Sequence, residues 1–144
     1  MGMFGAIDTA GSGMTAERLR MDVISNNIAN VNTTRTAEGG PYRRQLVVFA
    51  PRSSGKSFRQ TLEGYTEAGE GVRAVGITKE TSPFRLVYEP NHPDANKAGY
   101  VEMPNVNIVS EMVDMMTATR AYEANVTAVN AAKSMAMKAL DIGS

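Results

Sequence analysis

Apolar residues recur at alternating steps of three and four at both ends of this chain, and each run persists for several helical turns. Near the N-terminus the positions are Ile7, Ala10, Met14, Met21, Ile24, Ile28 and Val31, interrupted by Glu17. Near the C-terminus they are Ile108, Met112, Met115, Tyr122, Val126, Val129, Ala136 and Leu140, interrupted by Thr119 and Lys133. A period of about 3.5 residues draws a narrow apolar stripe along one side of an α-helix. Two striped helices at opposite ends of one chain predict an antiparallel pair, a coiled-coil domain built from the termini.

Between them the rhythm changes. Gly39-Gly40-Pro41 marks a turn. Leu46 to Phe49 reads as a short strand ending at Pro51, Gly71 to Thr78 as a second, and Phe84, Leu86 and Tyr88 alternate along a third that opens after Pro83. Tyr100 to Met103 is expected to pair briefly at an edge, after turn chemistry from Glu89 to Asn96. The expected fold class is therefore α+β. Residues 1–35 form the first helix, 36–103 a small β-rich module with a flexible loop at 52–70, and 104–144 the second helix.

The second helix opens after Pro104, with Asn105 or Asn107 as its N-cap. Glu111 and Asp114 near its start and Lys133 and Lys138 near its end suit the helix dipole. From Asn107 to Leu140 it would span about 50 Å, several turns more than its partner, so the surplus calls for a second copy of the chain. The first helix is weakened by Gly11 and Gly13, each costing about 1 kcal/mol relative to alanine, and the segment before Met14 is expected to order only when docked. The prediction is exchange-labile amides before Thr34 and after Asn105 in the isolated subunit. Asn26, Asn27 and Asn30 share one polar face, either winding the helix down as capping residues or reaching neighbouring helices through their amides.

Composition narrows the function classes. Lys plus Arg and Asp plus Glu both number 15, so no global basic field draws in nucleic acid. The chain has no cysteine, which removes thiolate catalysis, disulfides and Cys-based metal sites. Ten methionines supply soft apolar packing surface. No apolar run approaches the ~18 residues of a membrane span, and Met1 to Arg20 lacks the pattern of a cleaved secretory signal.

Ala50 to Ser57 fits a relaxed phosphate-loop pattern with Lys56 and Ser57 at its end, but Gly64 leaves no room for the stable helix such a loop requires. His92, the one histidine, sits in turn chemistry without an identifiable nucleophile or ligand set. Glu111 and Asp114 could be paired carboxylates, although helix-start charge accounts for them. No catalytic, cofactor-binding or metal residue is assigned, and no cofactor is expected. A nucleotide-binding enzyme using residues 50–57 and a soluble coiled-coil adaptor remain the alternative readings.

Ser25-Asn26-Asn27-Ile28-Ala29-Asn30-Val31-Asn32-Thr33 resembles the Asn-rich signature of bacterial flagellar axial proteins, the rod, hook and hook-associated family. Pro83 to Ala95, Gly99-Tyr100-Val101, Pro104 to Asn107 and Arg120 to Val126 are similar to the short proximal rod proteins of that family. The resemblance implies a coiled-coil domain of terminal helices and export by the flagellar type III apparatus without signal cleavage. It also implies assembly into the rod that crosses the periplasm, a hollow shaft that transmits torque. Partners would be further copies, the other proximal rod proteins, the MS-ring adaptor and the distal rod protein, with no membrane insertion. The residues expected to carry subunit assembly are Met14, Met21, Ile24, Asn26, Asn27, Ile28, Asn30, Val31, Met112, Met115, Tyr122, Val126, Val129 and Leu140.

Overall fold

The computed structural model describes residues 3–52 and 70–142. Helix α1 runs Met3–Ala29, strand β1 Gln45–Pro51, β2 Val72–Lys79, β3 Arg85–Tyr88, β4 Tyr100–Met103, and helix α2 Ile108–Ile142. The two terminal helices pack together, with two small antiparallel sheets between them in sequence, an α+β fold. Positions 53–69 hold most of the expected loop 52–70 and Lys56 of the phosphate-loop pattern; they lie outside the described residues.

β1 and β2 pair as a two-stranded sheet. The Arg52 N–H donates to Gly71 C=O at 2.8 Å and the Glu80 N–H to Arg44 C=O at 2.8 Å, bonds at opposite ends that make the pair antiparallel. β3 and β4 form the other sheet, with Arg85 opposite Met103 and Tyr88 opposite Tyr100. The Tyr88 and Tyr100 rings meet edge to face, 5.2 Å between centroids.

The chain divides into two compact units, each drawing on both helices. One holds α1 up to Leu19, the adjoining parts of β1 and β2, and α2 from Ala118. Its buried apolar residues among those described are all alanines: Ala10, Ala16, Ala118 and Ala132. A Cβ placed on Gly13 would lie 2.8 Å from Asn125 Nδ2, so the glycine is where α1 admits that amide. Ser12 Oγ donates to Thr9 C=O at 2.7 Å and accepts from the Val72 N–H at 3.0 Å, joining α1 to the start of β2. The Gly11-Ser12-Gly13 segment is thus a contact point as well as a weak stretch of helix.

The other unit comprises Arg20–Val47 and Ile77–Thr117. It buries larger side chains, Val23, Ile24, Tyr42, Val101, Pro104 and Val106, together with Asn27 and Glu111. Within it Arg20 faces Asp114 and Asn27 faces Glu111, so α1 and α2 run antiparallel there. Thr34 Oγ1 donates to Asp94 Oδ2 at 2.8 Å, and His92 Nδ1 accepts from the Asp94 N–H at 3.1 Å, placing the histidine inside a turn.

Both asparagine candidates at the start of α2 have definite tasks. Asn107 is the cap: its Oδ1 accepts from the Val109 N–H at 3.0 Å and its carbonyl from the Glu111 N–H at 3.0 Å. Asn105 instead ties three segments, accepting from the Arg44 N–H at 2.8 Å and donating to Ser82 Oγ at 2.8 Å and Ser82 C=O at 3.3 Å. At the other end, Asn30 closes α1 by donating to Asn26 C=O at 2.9 Å.

The inward side of α2 differs from the expected stripe. The residues withdrawn from solvent include a line through Glu111, Met115, Ala118, Tyr122, Asn125, Val129, Ala132 and Ala136 in steps of four and three, flanked by the half-buried Asp114, Thr119, Ala121 and Val126. Met115, Tyr122, Val126, Val129 and Ala136 of the expected stripe are half-buried, whereas Ile108, Met112 and Leu140 are exposed. Of the two interruptions, Thr119 is half-buried beside Ala118, whereas Lys133 is exposed beside the buried Ala132. Alanine and asparagine fill the true positions, and small side chains let two helix backbones approach closely.

Replacing Asn107 by alanine is expected to cost about 1 kcal/mol as a lost cap. Asn105→Ala, although outside the helix, should cost more, about 2 kcal/mol, because it strands the Arg44 N–H and frees the Ser82 turn. Urea midpoints of the two variants at unchanged slope measure the difference.

Candidate assembly site and the clasp beneath it

Asn27 emerges from the last turns of α1 with 1 % of its surface exposed, and an amide so placed needs all its hydrogen bonds met inside the protein. It has them. Oδ1 accepts from the Gln45 N–H at 2.9 Å and from Tyr42 Oη at 2.9 Å; Nδ2 donates to Gln45 C=O at 2.9 Å and to Glu111 Oε2 at 3.1 Å. The side chain therefore behaves as an extra strand residue beside the start of β1, and its capacity is spent within the chain. Asn26 reaches Tyr42 Oη at 3.4 Å, and Asn30 serves the helix end.

Glu111 is fully buried, at 0 % exposure. Its second oxygen takes Arg44 Nε at 2.5 Å, and the same guanidinium extends to Asp114 Oδ2 at 3.0 Å and Glu80 Oε2 at 3.2 Å. Arg20 approaches the other oxygen of Asp114 at 3.7 Å. A planar fork with five donors can address three carboxylates in this way, which an ammonium could not. Burial works against the Arg44 cation, but its bond and charge interaction with Glu111, then with Glu80, outweigh burial and raise its pKa. Burial, followed by the Glu111 charge, raises the Tyr42 phenol above its ordinary value.

The opposite side of α2 is apolar. At about 100° per residue, the group Val109, Met112, Val113 and Met116 is centred roughly 150° round the helix from Glu111. All four are exposed, Met112 and Met116 at 55 % each. The first turns of α2 thus carry carboxylates inward and apolar side chains outward.

The assembly candidates fall into three groups. Ile24 and Asn27 are buried in the chain; Met14, Met21, Ile28, Asn30, Val31, Met115, Tyr122, Val126 and Val129 are half-buried; Asn26, Met112 and Leu140 are exposed. Val109, Val113 and Met116 were not among the candidates, since the expected stripe runs through Ile108, Met112 and Met115 and passes them by. Arg44 and Tyr42 were missed too; the available signal was a basic pair, Arg43-Arg44, directly before an apolar strand and far from any acidic run. Among the described residues no three His, Cys, Asp or Glu side chains gather at metal-binding spacing, and Glu111 and Asp114 are held by arginines.

Glu111→Ala is expected to lose about 3 kcal/mol at neutral pH, because Arg44 stays inside with its main counter-charge gone. Tyr42→Phe should lose about 1 kcal/mol at pH 8 by removing the donor to Asn27. The phenol's raised pKa makes its contribution fully present below the unfolded value of 10.0 and lost as pH rises through the higher folded value. Denaturation midpoints should therefore fall above about pH 10 in the native chain and less steeply in Tyr42→Phe.

Comparison with known proteins places this arrangement. Residues 7–35 match the family described as flagella basal body rod protein, and 97–142 match the flagellar basal body rod FlgEFG protein C-terminal family. The two matches cover most of α1, including Asn27, and all of α2, including Glu111. The flagellar basal-body rod protein FlgC of Borreliella burgdorferi is 54% identical, covering 99% of this chain and 98% of the relative. Its counterpart in Bacillus subtilis is 49% identical over 99% of each chain, and that of Salmonella typhimurium 38% over 99% of each. The chain belongs to the flagellar basal-body rod protein family, a family of structural subunits rather than enzymes.

Proposed function

We propose that this chain polymerises in the proximal part of the flagellar rod, where its terminal helices form a coiled-coil layer and residues 36–103 a β-rich module beside it. The observation that carries the reading is the outward apolar face of α2, Val109, Met112, Val113 and Met116, on a chain that matches rod proteins from end to end. A lone soluble protein gains nothing from solvating four such side chains on one helical face. Repeated contacts of one surface with a different surface of the next copy build a helical shaft. In this reading the chain is exported by the flagellar type III apparatus, crosses into the periplasm, and meets further copies, other proximal rod proteins, the MS-ring adaptor and the distal rod protein. Its task is mechanical: to transmit torque and enclose a channel.

The two units suit assembly in stages. Large side chains and the clasp hold Arg20–Val47 and Ile77–Thr117, whereas the other unit buries only alanines among its described apolar residues. Local stability follows buried apolar contact. This narrows the expectation from sequence of labile amides before Thr34 and after Asn105: in the isolated full-length chain, hydrogen exchange is expected to be slow at Val23 to Asn27 and Val101 to Met115, and fast only before Ala16 and after Ala118. Uniform protection would contradict staged ordering.

Met112→Asp with Met116→Asp places two charges on the outward face without touching the clasp. Cells carrying this variant as their sole copy should still export the protein but form no rods and lose motility. Export assays and electron microscopy of basal bodies read the two separately; normal rods would overturn the assignment of this face.

A further inference from the structure

Helix α2 begins inside out. Glu111 and Asp114 turn toward Arg44, while Val109, Met112, Val113 and Met116 stand in solvent. Burial of apolar surface alone favours the reverse orientation, since methionine and valine gain more than a carboxylate from leaving water. Something other than hydrophobicity selects the inward face.

We propose that the Asn27–Glu111–Arg44 clasp is a face-selecting device: it determines which side of α2 meets α1 and so keeps the apolar side outward. Each member imposes direction. The Arg44 fork reaches Glu111, Asp114 and Glu80 at 2.5, 3.0 and 3.2 Å, and only this rotation of α2 brings two of those carboxylates within its span. Asn27 completes its fourth hydrogen bond with Glu111 at 3.1 Å. A rolled α2 would leave Arg44 and the Asn27 amide short of partners inside the protein, a penalty that apolar contacts do not impose on any face. Buried ion pairs add little net stability over apolar residues of the same bulk, and their recognised use is to exclude alternative arrangements. The device operates within one chain and does not rest on the rod reading.

The methionines are natural reporters, because oxidation by peroxide follows their exposure. In the native full-length chain, mass spectrometry is expected to find Met112 and Met116 oxidised severalfold faster than the half-buried Met115. Arg44→Met combined with Glu111→Leu keeps the bulk and removes the direction. This double variant should retain its helical circular dichroism while Met112 slows to the rate of Met115 or below. Glu111→Gln, which keeps shape and one hydrogen bond, should give an intermediate pattern. A folded double variant with the native oxidation pattern would overturn the proposal. So would equal rates in the native chain, or loss of helix in the double variant accompanied by an unchanged pattern in Glu111→Gln.

Discussion

One guanidinium holds the better-packed unit together. Arg44 stands at the entry to β1 and faces carboxylates from α2 and from the residue just after β2, while Asn27 of α1 bonds to Glu111 on the same carboxyl group. Four segments distant in sequence thereby share one set of donors and acceptors. Hydrophobic contact could hold these segments near one another in many rotations; the polar set admits one. The exposed apolar face of α2 is the counterpart of that choice.

The neighbouring unit is held by different means. Alanines are its buried apolar residues among those described, and Gly13 admits the Asn125 amide against the α1 backbone. Close helix approach of this sort gains dispersion contact while burying little area, so it is weak in a single chain. The same helices therefore carry a firm part and a compliant part, distinguished by side-chain size and by a buried ionic group.

Element positions were legible in the sequence because they depend on local chemistry. Turn residues bounded all four strands to within a residue or two, and the 3-4 spacing located both helices. Facing was less legible. Met112 and Leu140 fit an apolar stripe on α2, but the inward side runs through Glu111, Ala118, Asn125 and Ala132, which bring less apolar surface than methionine or leucine. What decides the matter is Arg44, a residue 67 positions from Glu111. Periodicity within a helix carries no record of a charge waiting elsewhere. The asparagines were read as one group with one of two roles, and the structure divides the labour: Asn30 ends the helix, whereas Asn27 enters the clasp.

The hydrogen bond between Asn27 and Glu111 joins residues 84 positions apart. Closing so wide a loop carries an entropic cost that no local contact offsets in advance. A chain delivered one end first cannot make this bond until more than three quarters of it has emerged. Up to that moment α1 lacks its bond to α2 and nothing directs the faces of α2. Locking is thereby deferred until late, a timing rule written in the sequence separation of two side chains.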